Sequence, residues 1–319
     1  MDGLNLSRAR RSLYSVSAFA PATVANLGVG FDVLGMAIAG PGDEVTARCC
    51  EHPGVHIESI VADFPLSTDA NENIAGIAVQ ALLKDHNLIH GVALTLHKGI
   101  PLGSGLEGSA ASAVAALVAV NALLPQPLTP IQLLPYTVYA EGVINGAAHA
   151  DNVAPALLGG LVLCGDGHRI HRLPSPPLSC LALHVGIVVK TQQARQLLPK
   201  QVTLSEATTM TAKLGAWVHA LHEGDQATFA ELLQDNAIEQ SRLPLWPHYE
   251  PIKQAVQQAG AKAMCVSGSG PCLLAWVDET DRTAVQHAMV DVCEQHGWSH
   301  QLWLNRQPAP GAYIVNKEA

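Results

Sequence analysis

The chain has 319 residues, of which 48% are hydrophobic and 4% aromatic, and its formal net charge is -9 at pH 7. This length allows a large hydrophobic core and favours two lobes over one. The negative charge argues against nucleic acid or an anionic membrane surface as a partner, and no apolar run in the sequence is long enough to span a bilayer.

Two further features of the sequence bear on the cellular compartment. The seven cysteines show no Cys-x-x-Cys spacing, which is typical of thiols in a reducing compartment rather than of disulfides or a zinc site. Arg8, Arg10 and Arg11 lie close to serines near the N-terminus, without the apolar core of a secretory signal. We therefore expect a cytoplasmic protein.

The first part of the chain predicts short strands followed by a helix. Strands are expected at residues 15–20, 33–38 and 44–49. Residues 21–32 are expected to form a structured loop, in which two glycines permit backbone angles that other residues resist. The Gly-Pro-Gly-Asp sequence at residues 40–43 predicts a turn. Residues 73–86 have the apolar periodicity of a helix.

The rest of the chain mixes helices and strands. Helices are expected at residues 110–124, 131–145, 204–221 and 226–234. Strands are expected at residues 92–98, 158–164 and 181–189, and on both sides of a Gly/Ser turn within residues 264–276. Because the two kinds of element do not alternate strictly, the pattern predicts an α+β fold rather than a doubly wound sheet. We place the lobes at residues 1–165 and 166–319.

The most informative segment lies between the strand at 92–98 and the helix at 110–124. Its glycines let the backbone approach phosphate oxygens, its N–H groups can point at an anion, and the helix N-terminus adds positive potential. It lacks the Lys-Ser/Thr of a P-loop and the glycine spacing of a dinucleotide site. It therefore predicts another kind of phosphate loop and a kinase; the alternative is a helix start built only for close packing. The predicted ATP-binding residues are Pro101, Leu102, Gly103, Ser104, Gly105, Leu106, Glu107, Gly108, Ser109, Ala110 and Ala111.

Three separated motifs, at residues 20–32, 101–112 and 266–271, resemble those of the GHMP small-molecule kinases. The first motif, together with residues 149–152, is similar to that of homoserine kinases. The resemblance implies an N-terminal lobe like ribosomal protein S5 domain 2, a ferredoxin-like C-terminal lobe and a homodimer. It also implies transfer of a phosphoryl group from ATP to the hydroxyl of L-homoserine, on the route to threonine.

The resemblance carries substrate-binding roles onto individual residues. Asn26 and Asp32 stand where the family holds the amino end of homoserine and positions its hydroxyl. His149 matches a histidine of the substrate site. Arg195 and Arg242 match two arginines that grip the substrate carboxylate, a task that suits the paired donors of a guanidinium group. Considered one at a time, each of these residues could equally be a turn residue, a structural residue or a surface charge with no role in binding.

Other positions match the metal site and its surroundings. Glu141 matches the acidic Mg²⁺ ligand, with the hydroxyl of Ser109 as its partner, and Mg²⁺ prefers such oxygen ligands. Asp151 and Asn152 match a pair in which related GHMP kinases use the aspartate as a general base; we assign both to the substrate site without naming a base. The glycine turn expected to support the phosphate loop consists of Gly268, Ser269 and Gly270.

One departure from the family pattern concerns the phosphate loop. The family reads Gly-Leu-Gly-Ser-Ser-Ala, whereas this chain has Glu107 and Gly108 at the third and fourth positions. A carboxylate about 4 Å from a phosphate charge would repel it by on the order of a few kcal/mol. We therefore expect an active enzyme in which Glu107 points to solvent. Two alternatives stay open: a GHMP kinase for another small alcohol, and a catalytically impaired relative that binds a nucleotide or an amino acid.

Overall fold

The computed structural model describes residues 15–86, 91–146, 148–234 and 237–318. These residues form two β-sheets with helices packed against them, which confirms the predicted α+β class. One large hydrophobic cluster fills the first lobe and continues over one face of the second sheet, and a second cluster covers the other face of that sheet. Across the described ranges, no helix is both long enough and apolar enough to cross a membrane.

The first sheet combines strands from both ends of the chain. Its strands within the described residues are β1 (Ser15–Asn26), β2 (Gly30–Cys50), β3 (Val55–Val61), β4 (Gly91–His97), β5 (Leu161–Cys164), β6 (Ile170–Leu173) and β11 (Tyr313–Glu318). The order is β11-β1-β2-β4-β3, and β5 pairs with both β2 and β6. Since β6 and β11 follow residue 165, no single cut of the chain separates the two sheets.

A nearly all-apolar helix lies at the centre of the first lobe. The helices here are α1 (Ile74–Asp85), α2 (Gly108–Asn121), α3 (Pro130–Asn145) and α4 (Val153–Leu158). Helix α2 contacts the other three as well as β1 and β2, and residues 110–117 are all buried. Its alanines let neighbours approach from every side, as expected for a helix that is apolar all round. This packing fixes the start of α2 directly after the phosphate loop.

The second sheet has ferredoxin-like connectivity. Its strands are β7 (Ser179–Val185), β8 (Ala263–Val266), β9 (Leu273–Val277) and β10 (His300–Asn305), in the order β10-β7-β9-β8. Helix α9 (Tyr249–Gln258) precedes β8, and α10 (Arg282–Gln295) connects β9 to β10, which gives the β-α-β-β-α-β pattern. In the described residues between β7 and α9, the chain also forms the α-helices α5 (Thr191–Gln196), α6 (Leu204–Glu223), α7 (Gln226–Gln234) and α8 (Ala237–Arg242).

The prediction of a turn at residues 40–43 is wrong. These residues belong to β2, where Gly42 pairs with Pro21 and Asp43 pairs with Ala20 of β1. Pairing between strands outweighs the local preference of a Gly-Pro-Gly-Asp sequence for a turn, so β2 continues through it. Strand β1 likewise runs on to Asn26, and only residues 27–29 of the predicted loop form a turn.

Candidate active site

A cleft of about 810 Å³ combines apolar and polar walls. It is lined by the segment before α1, the loop between β4 and α2, the end of α3 and residues 188–192. Apolar lining comes from Phe64, Ile74 and Leu96, and polar lining includes Lys98. A nucleotide needs both kinds of surface, because its base is flat and weakly polar whereas its phosphates are charged.

The loop between β4 and α2 is fastened to the second lobe. The carbonyl oxygen of Gly105 accepts a hydrogen bond from Ser267 Oγ at 2.6 Å. The carbonyl of Gly103 accepts one from the Val189 N–H at 3.2 Å. Gly105 has a φ of 75°, and a Cβ there would lie 2.8 Å from the Ser267 carbonyl oxygen. Only glycine therefore fits position 105 without strain.

Most, but not all, of the predicted ATP-binding residues line the cleft. Those that do are Pro101, Leu102, Gly103, Ser104, Gly105, Glu107, Gly108 and Ser109. Leu106, Ala110 and Ala111 are fully buried and belong to the hydrophobic core instead. Their side chains hold the loop and the first turn of α2 in place.

A buried ion pair beneath the loop was not predicted from the sequence. Lys98 and Asp43 form the pair, and their side chains are only 6% and 1% exposed. Lys98 Nζ also donates to the carbonyl oxygen of Gly108 at 2.7 Å and to Ser112 Oγ at 2.7 Å. Asp43 accepts further hydrogen bonds from the Gly99 N–H at 3.0 Å and from Ser112 Oγ at 2.7 Å. The pair thus fixes both ends of the phosphate loop.

Ser109 and Glu141, the predicted metal ligands, are in direct contact. Ser109 Oγ donates a hydrogen bond to Glu141 Oε1 at 2.9 Å, and Glu141 is 6% exposed. A hydroxyl and a carboxylate at the phosphate loop fit Mg²⁺, which prefers oxygen ligands. Within the described ranges, no three His, Cys, Asp or Glu side chains are grouped so that they could hold a metal. The pair therefore suits an ion that takes its remaining ligands from phosphate and water.

Glu107 does not point to solvent, so that prediction is wrong. The residue adopts left-handed backbone angles (φ 56°, ψ 47°) directly before α2. Its carboxylate lies over Gly268 of the second lobe, where a Cβ would come within 2.4 Å of Glu107 Oε1. Burial raises the pKa of Glu107 to about 8, and the negative charges of Glu141 and Asp151 add to this effect. The side chain thus faces the interior of the site.

Asp32 is the centre of a charged cluster beside the loop. It has a φ of 59° and accepts hydrogen bonds from the Arg195 guanidinium at 3.3 and 3.4 Å. Asp32 also contacts His149, whose Nε2 lies 3.2 Å from Asp32 Oδ2. Asn26 Oδ1 accepts from the Asp32 N–H at 3.1 Å, and Asn26 Nδ2 donates to the Gly268 carbonyl at 3.0 Å. Residues from three distant parts of the sequence therefore meet at one place.

Arg242 completes this cluster from the second lobe. It is 4% exposed, and its guanidinium donates to the carbonyl oxygens of Gly268 and Ala194, both at 3.2 Å. The guanidinium carbon also lies 5.5 Å from the centre of the Phe31 ring, within the range of a cation–π contact. Sequence reasoning did not select Phe31, although it directly precedes Asp32 in the first motif.

The turn formed by Gly268, Ser269 and Gly270 packs between the loop and Trp246. The Trp246 Nε1–H donates to the Ser269 carbonyl at 3.1 Å. Gly270 has a φ of 74°, and a Cβ at this position would lie 2.3 Å from Trp246 Nε1. The close approach of the indole ring therefore requires glycine here.

Asp151 and Asn152 bring unpaired oxygen atoms into the site. Asp151 is 2% exposed, and its Oδ1 and the Oδ1 of Asn152 are buried with no hydrogen-bond partner among the described residues. The pKa of Asp151 is raised to about 7, mainly by burial and in part by the negative charge of Asp32. Buried acceptors without partners are rare in folded proteins, so these two oxygen atoms are an unusual feature of this region.

The fold and the phosphate loop define a class of small-molecule kinases. The family models described as GHMP kinases N terminal domain and GHMP kinases C terminal match residues 73–160 and 217–295. The chain therefore belongs to the GHMP kinases, which confirms the resemblance of its motifs.

Relatives matched over nearly their full length show which group of GHMP kinases the chain is most similar to. The chain is 36% identical over 312 residues to a homoserine kinase of Xylella fastidiosa (strain 9a5c), covering 97% of each chain. It is 39% identical over 320 residues to a homoserine kinase of Chlorobium phaeovibrioides, covering 94% of this chain and 99% of that one. A crystal structure of homoserine kinase from Cytophaga hutchinsonii superposes with a TM-score of 0.89 at 36% identity, over 94% of this chain and 97% of that chain. The protein belongs to the homoserine kinase family.

Proposed function

We propose that this protein transfers the γ-phosphoryl group of ATP to the hydroxyl of L-homoserine, giving ADP and O-phospho-L-homoserine. The observation that carries the proposal is the position of the Asp32 cluster directly beside the phosphate loop. An acid and two arginines suit the ammonium and carboxylate groups of an amino acid, whereas a neutral sugar or alcohol needs neither. The full-length similarity to homoserine kinases supports the same substrate.

On the nucleotide side, the chain supplies a cradle for the phosphates. The N–H groups of the loop and the positive end of α2 would face the phosphate oxygens. Ser109 and Glu141 would hold Mg²⁺, which neutralises charge on the phosphates when it is bound. Phosphoryl transfer requires mainly that the protein align the reactants and stabilise charge. The phosphate loop, which is held in place by the second lobe, would provide the alignment of the nucleotide phosphates.

On the substrate side, the charged cluster would orient homoserine. Arg195 and Arg242 would bind the carboxylate, while Asp32 and Asn26 would bind the amino end. Because Asp32 contacts Arg195 and His149 before substrate arrives, binding exchanges these contacts for contacts with the zwitterion. Asp151 and Asn152 would complete the wall of the same site.

The resemblance also supports three broader proposals. The chain would act as a homodimer, and it would work in the cytoplasm with other enzymes of amino-acid biosynthesis. Residues 1–165 and 166–319 would form its two lobes, except that β6 and β11 return to the sheet of the first lobe. Sedimentation of the purified protein tests the first of these directly, since a monomer and a dimer of a 33.6 kDa chain sediment at different rates.

The test of the reaction is ADP release from Mg-ATP with and without L-homoserine. We expect release only with homoserine, and little with 4-hydroxybutyrate, which lacks the ammonium group. Arg195→Met should lose most of the activity. Arg172→Met is the matched control, because within the described residues the exposed Arg172 side chain donates a hydrogen bond to the Leu158 carbonyl and lies outside the proposed site. Equal release with and without homoserine, or a preference for an uncharged alcohol, would refute the proposal.

A further inference from the structure

Phe31 and Asp32 are neighbours at the start of β2, and each contacts one of the two arginines of the substrate cluster. The Asp32 carboxylate accepts hydrogen bonds from the Arg195 guanidinium at 3.3 and 3.4 Å. The Phe31 ring instead faces the Arg242 guanidinium, whose carbon lies 5.5 Å from the ring centre. The two contacts differ in kind, because a carboxylate neutralises a cation, whereas an aromatic ring attracts it and adds no net charge.

Arg242 is a buried cation whose direct contacts are all uncharged. Its side chain is 4% exposed, and within the described residues it forms no ion pair. Its hydrogen bonds there go to the backbone carbonyls of Ala194 and Gly268. Burial lowers the pKa of the Arg242 guanidinium, and the carboxylate of Asp32, which is already in contact with Arg195, offsets this only in part. A buried cation without an ionic partner is unfavourable, so this group is suited to receive an anion.

The direction of the Arg242 guanidinium decides whether it can receive a carboxylate. A guanidinium has five N–H donors in one plane, and the bonds to Ala194 and Gly268 use one donor at Nε and one at Nη1. The other donors match a carboxylate only when that plane is turned towards it. An aromatic ring against the guanidinium restricts rotation of this plane, and Phe31 supplies such a ring.

We propose that Phe31 is a positioning residue for homoserine binding: its ring holds the Arg242 guanidinium towards the substrate carboxylate without neutralising its charge. The inference rests on the substrate site assigned under the proposed function. The two arginines then have different tasks. Arg195 is already paired with Asp32 before the substrate arrives, so Arg242 supplies the uncompensated positive charge that distinguishes an amino acid from an amino alcohol.

The experiment compares two phosphoryl acceptors, L-homoserine and 3-aminopropan-1-ol, which is homoserine without its carboxylate. We expect Phe31→Leu to raise the KM for homoserine about tenfold, because a buried cation–π contact is lost, while kcat and the KM for ATP change little. The kcat/KM for 3-aminopropan-1-ol should stay the same, so the preference for homoserine falls by the same factor. Phe31→Met, a second variant without a ring, should behave like Phe31→Leu, whereas Phe31→Tyr keeps the ring and should stay close to the parent protein.

Phe19→Leu is the matched control. It is the same substitution in another half-buried phenylalanine of the same sheet, whose ring packs against that of Tyr313 at 5.4 Å rather than against a cation. This variant should leave the KM for homoserine unchanged. Thermal unfolding of each variant verifies that it is folded.

The outcomes separate the role of Phe31 from the proposed reaction. An unchanged KM for homoserine in both ringless variants would overturn that role, and so would an equal loss with both acceptors, which indicates a general disturbance of the site. If the parent protein phosphorylates neither acceptor, the proposed function fails, and calorimetric titration with L-homoserine decides the role of Phe31 by itself. Weaker binding in Phe31→Leu than in Phe31→Tyr would support it; equal binding in the two variants, or no binding in the parent protein, would overturn it.

Discussion

The buried ion pair beneath the phosphate loop makes a strong prediction about stability and ATP binding. In Lys98→Met, the side chain keeps its length but loses its charge and its hydrogen bonds to Asp43, Gly108 and Ser112. Asp43 then remains buried without its cation. Removing one partner of a buried ion pair costs about 3–5 kcal/mol, because the remaining charge is left uncompensated.

The contacts that remain decide where in this range the variant falls. Asp43 still accepts hydrogen bonds from Ser112 Oγ and from the N–H groups of Gly99 and Ile100. These donors offset part of the lost attraction, so we expect a loss near the lower end, about 3 kcal/mol. The KM for ATP should rise more than the KM for homoserine, since Lys98 holds the Gly108 carbonyl at the start of α2.

Urea unfolding and steady-state kinetics measure these two effects separately. The control is Arg48→Met, because the Arg48–Glu58 pair lies in the same sheet but its side chains are 49% and 42% exposed. An exposed pair contributes below about 1 kcal/mol. The double variant Lys98→Met/Asp43→Asn should regain stability without regaining ATP affinity. The reasoning is refuted if Lys98→Met destabilises the protein no more than Arg48→Met does.

Three further predictions concern the loop, the turn and Asp151. Gly105→Ala places a side chain at a φ of 75° against the Ser267 carbonyl. In urea unfolding it should lower the stability of the protein by about 1–3 kcal/mol. Gly215→Ala is the control, because a side chain there meets open space and should not lower the stability. Ser267→Ala removes the bond to the Gly105 carbonyl and the one from the Ala25 N–H, so unfolding should show a loss of about 1–3 kcal/mol; an unchanged stability would contradict this. Because the pKa of Asp151 is raised from 3.8 to about 7, its contribution to stability is present below pH 4 and is lost as the pH rises to 7. The melting temperature of Asp151→Asn, relative to that of the parent protein, should therefore rise between pH 4 and pH 7. A difference in melting temperature that stays constant over this interval would disprove the raised pKa of Asp151.

Five of the helices were predicted from apolar periodicity, which is a local signal, whereas α4, α5, α8, α9 and α10 were not predicted. Helices α1, α2, α3, α6 and α7 begin and end within a few residues of the predicted bounds. The turn at residues 40–43 failed for the opposite reason: its Gly-Pro-Gly-Asp sequence is a turn signal, but strand partners far away in the chain decide its structure. Local preference is a weak guide wherever a segment has partners on both sides of a sheet.

The site shows the same division between local and distant causes. Motif resemblance selected Asn26, Asp32, His149 and Arg195, and the structure brings these four residues together. Lys98 and Asp43 were missed because they are 55 residues apart and meet only through the pairing of β2 with β4. The direction of Glu107 depends on Gly268 in the other lobe, and no pattern within the loop reveals that contact.

The turn at residues 267–270 links the two halves of the proposed reaction. Ser267 Oγ holds the Gly105 carbonyl of the phosphate loop at 2.6 Å, while the neighbouring Gly268 carbonyl accepts from both Asn26 and Arg242 of the substrate cluster. The phosphate loop and the substrate residues are thus positioned against the same short piece of backbone. Phosphoryl transfer depends on in-line placement of the hydroxyl and the γ-phosphate, and an error of about 1 Å can cost on the order of a hundredfold in rate. A shared support means that a displacement of the turn moves both partners together, so their relative alignment changes less than if each were held separately.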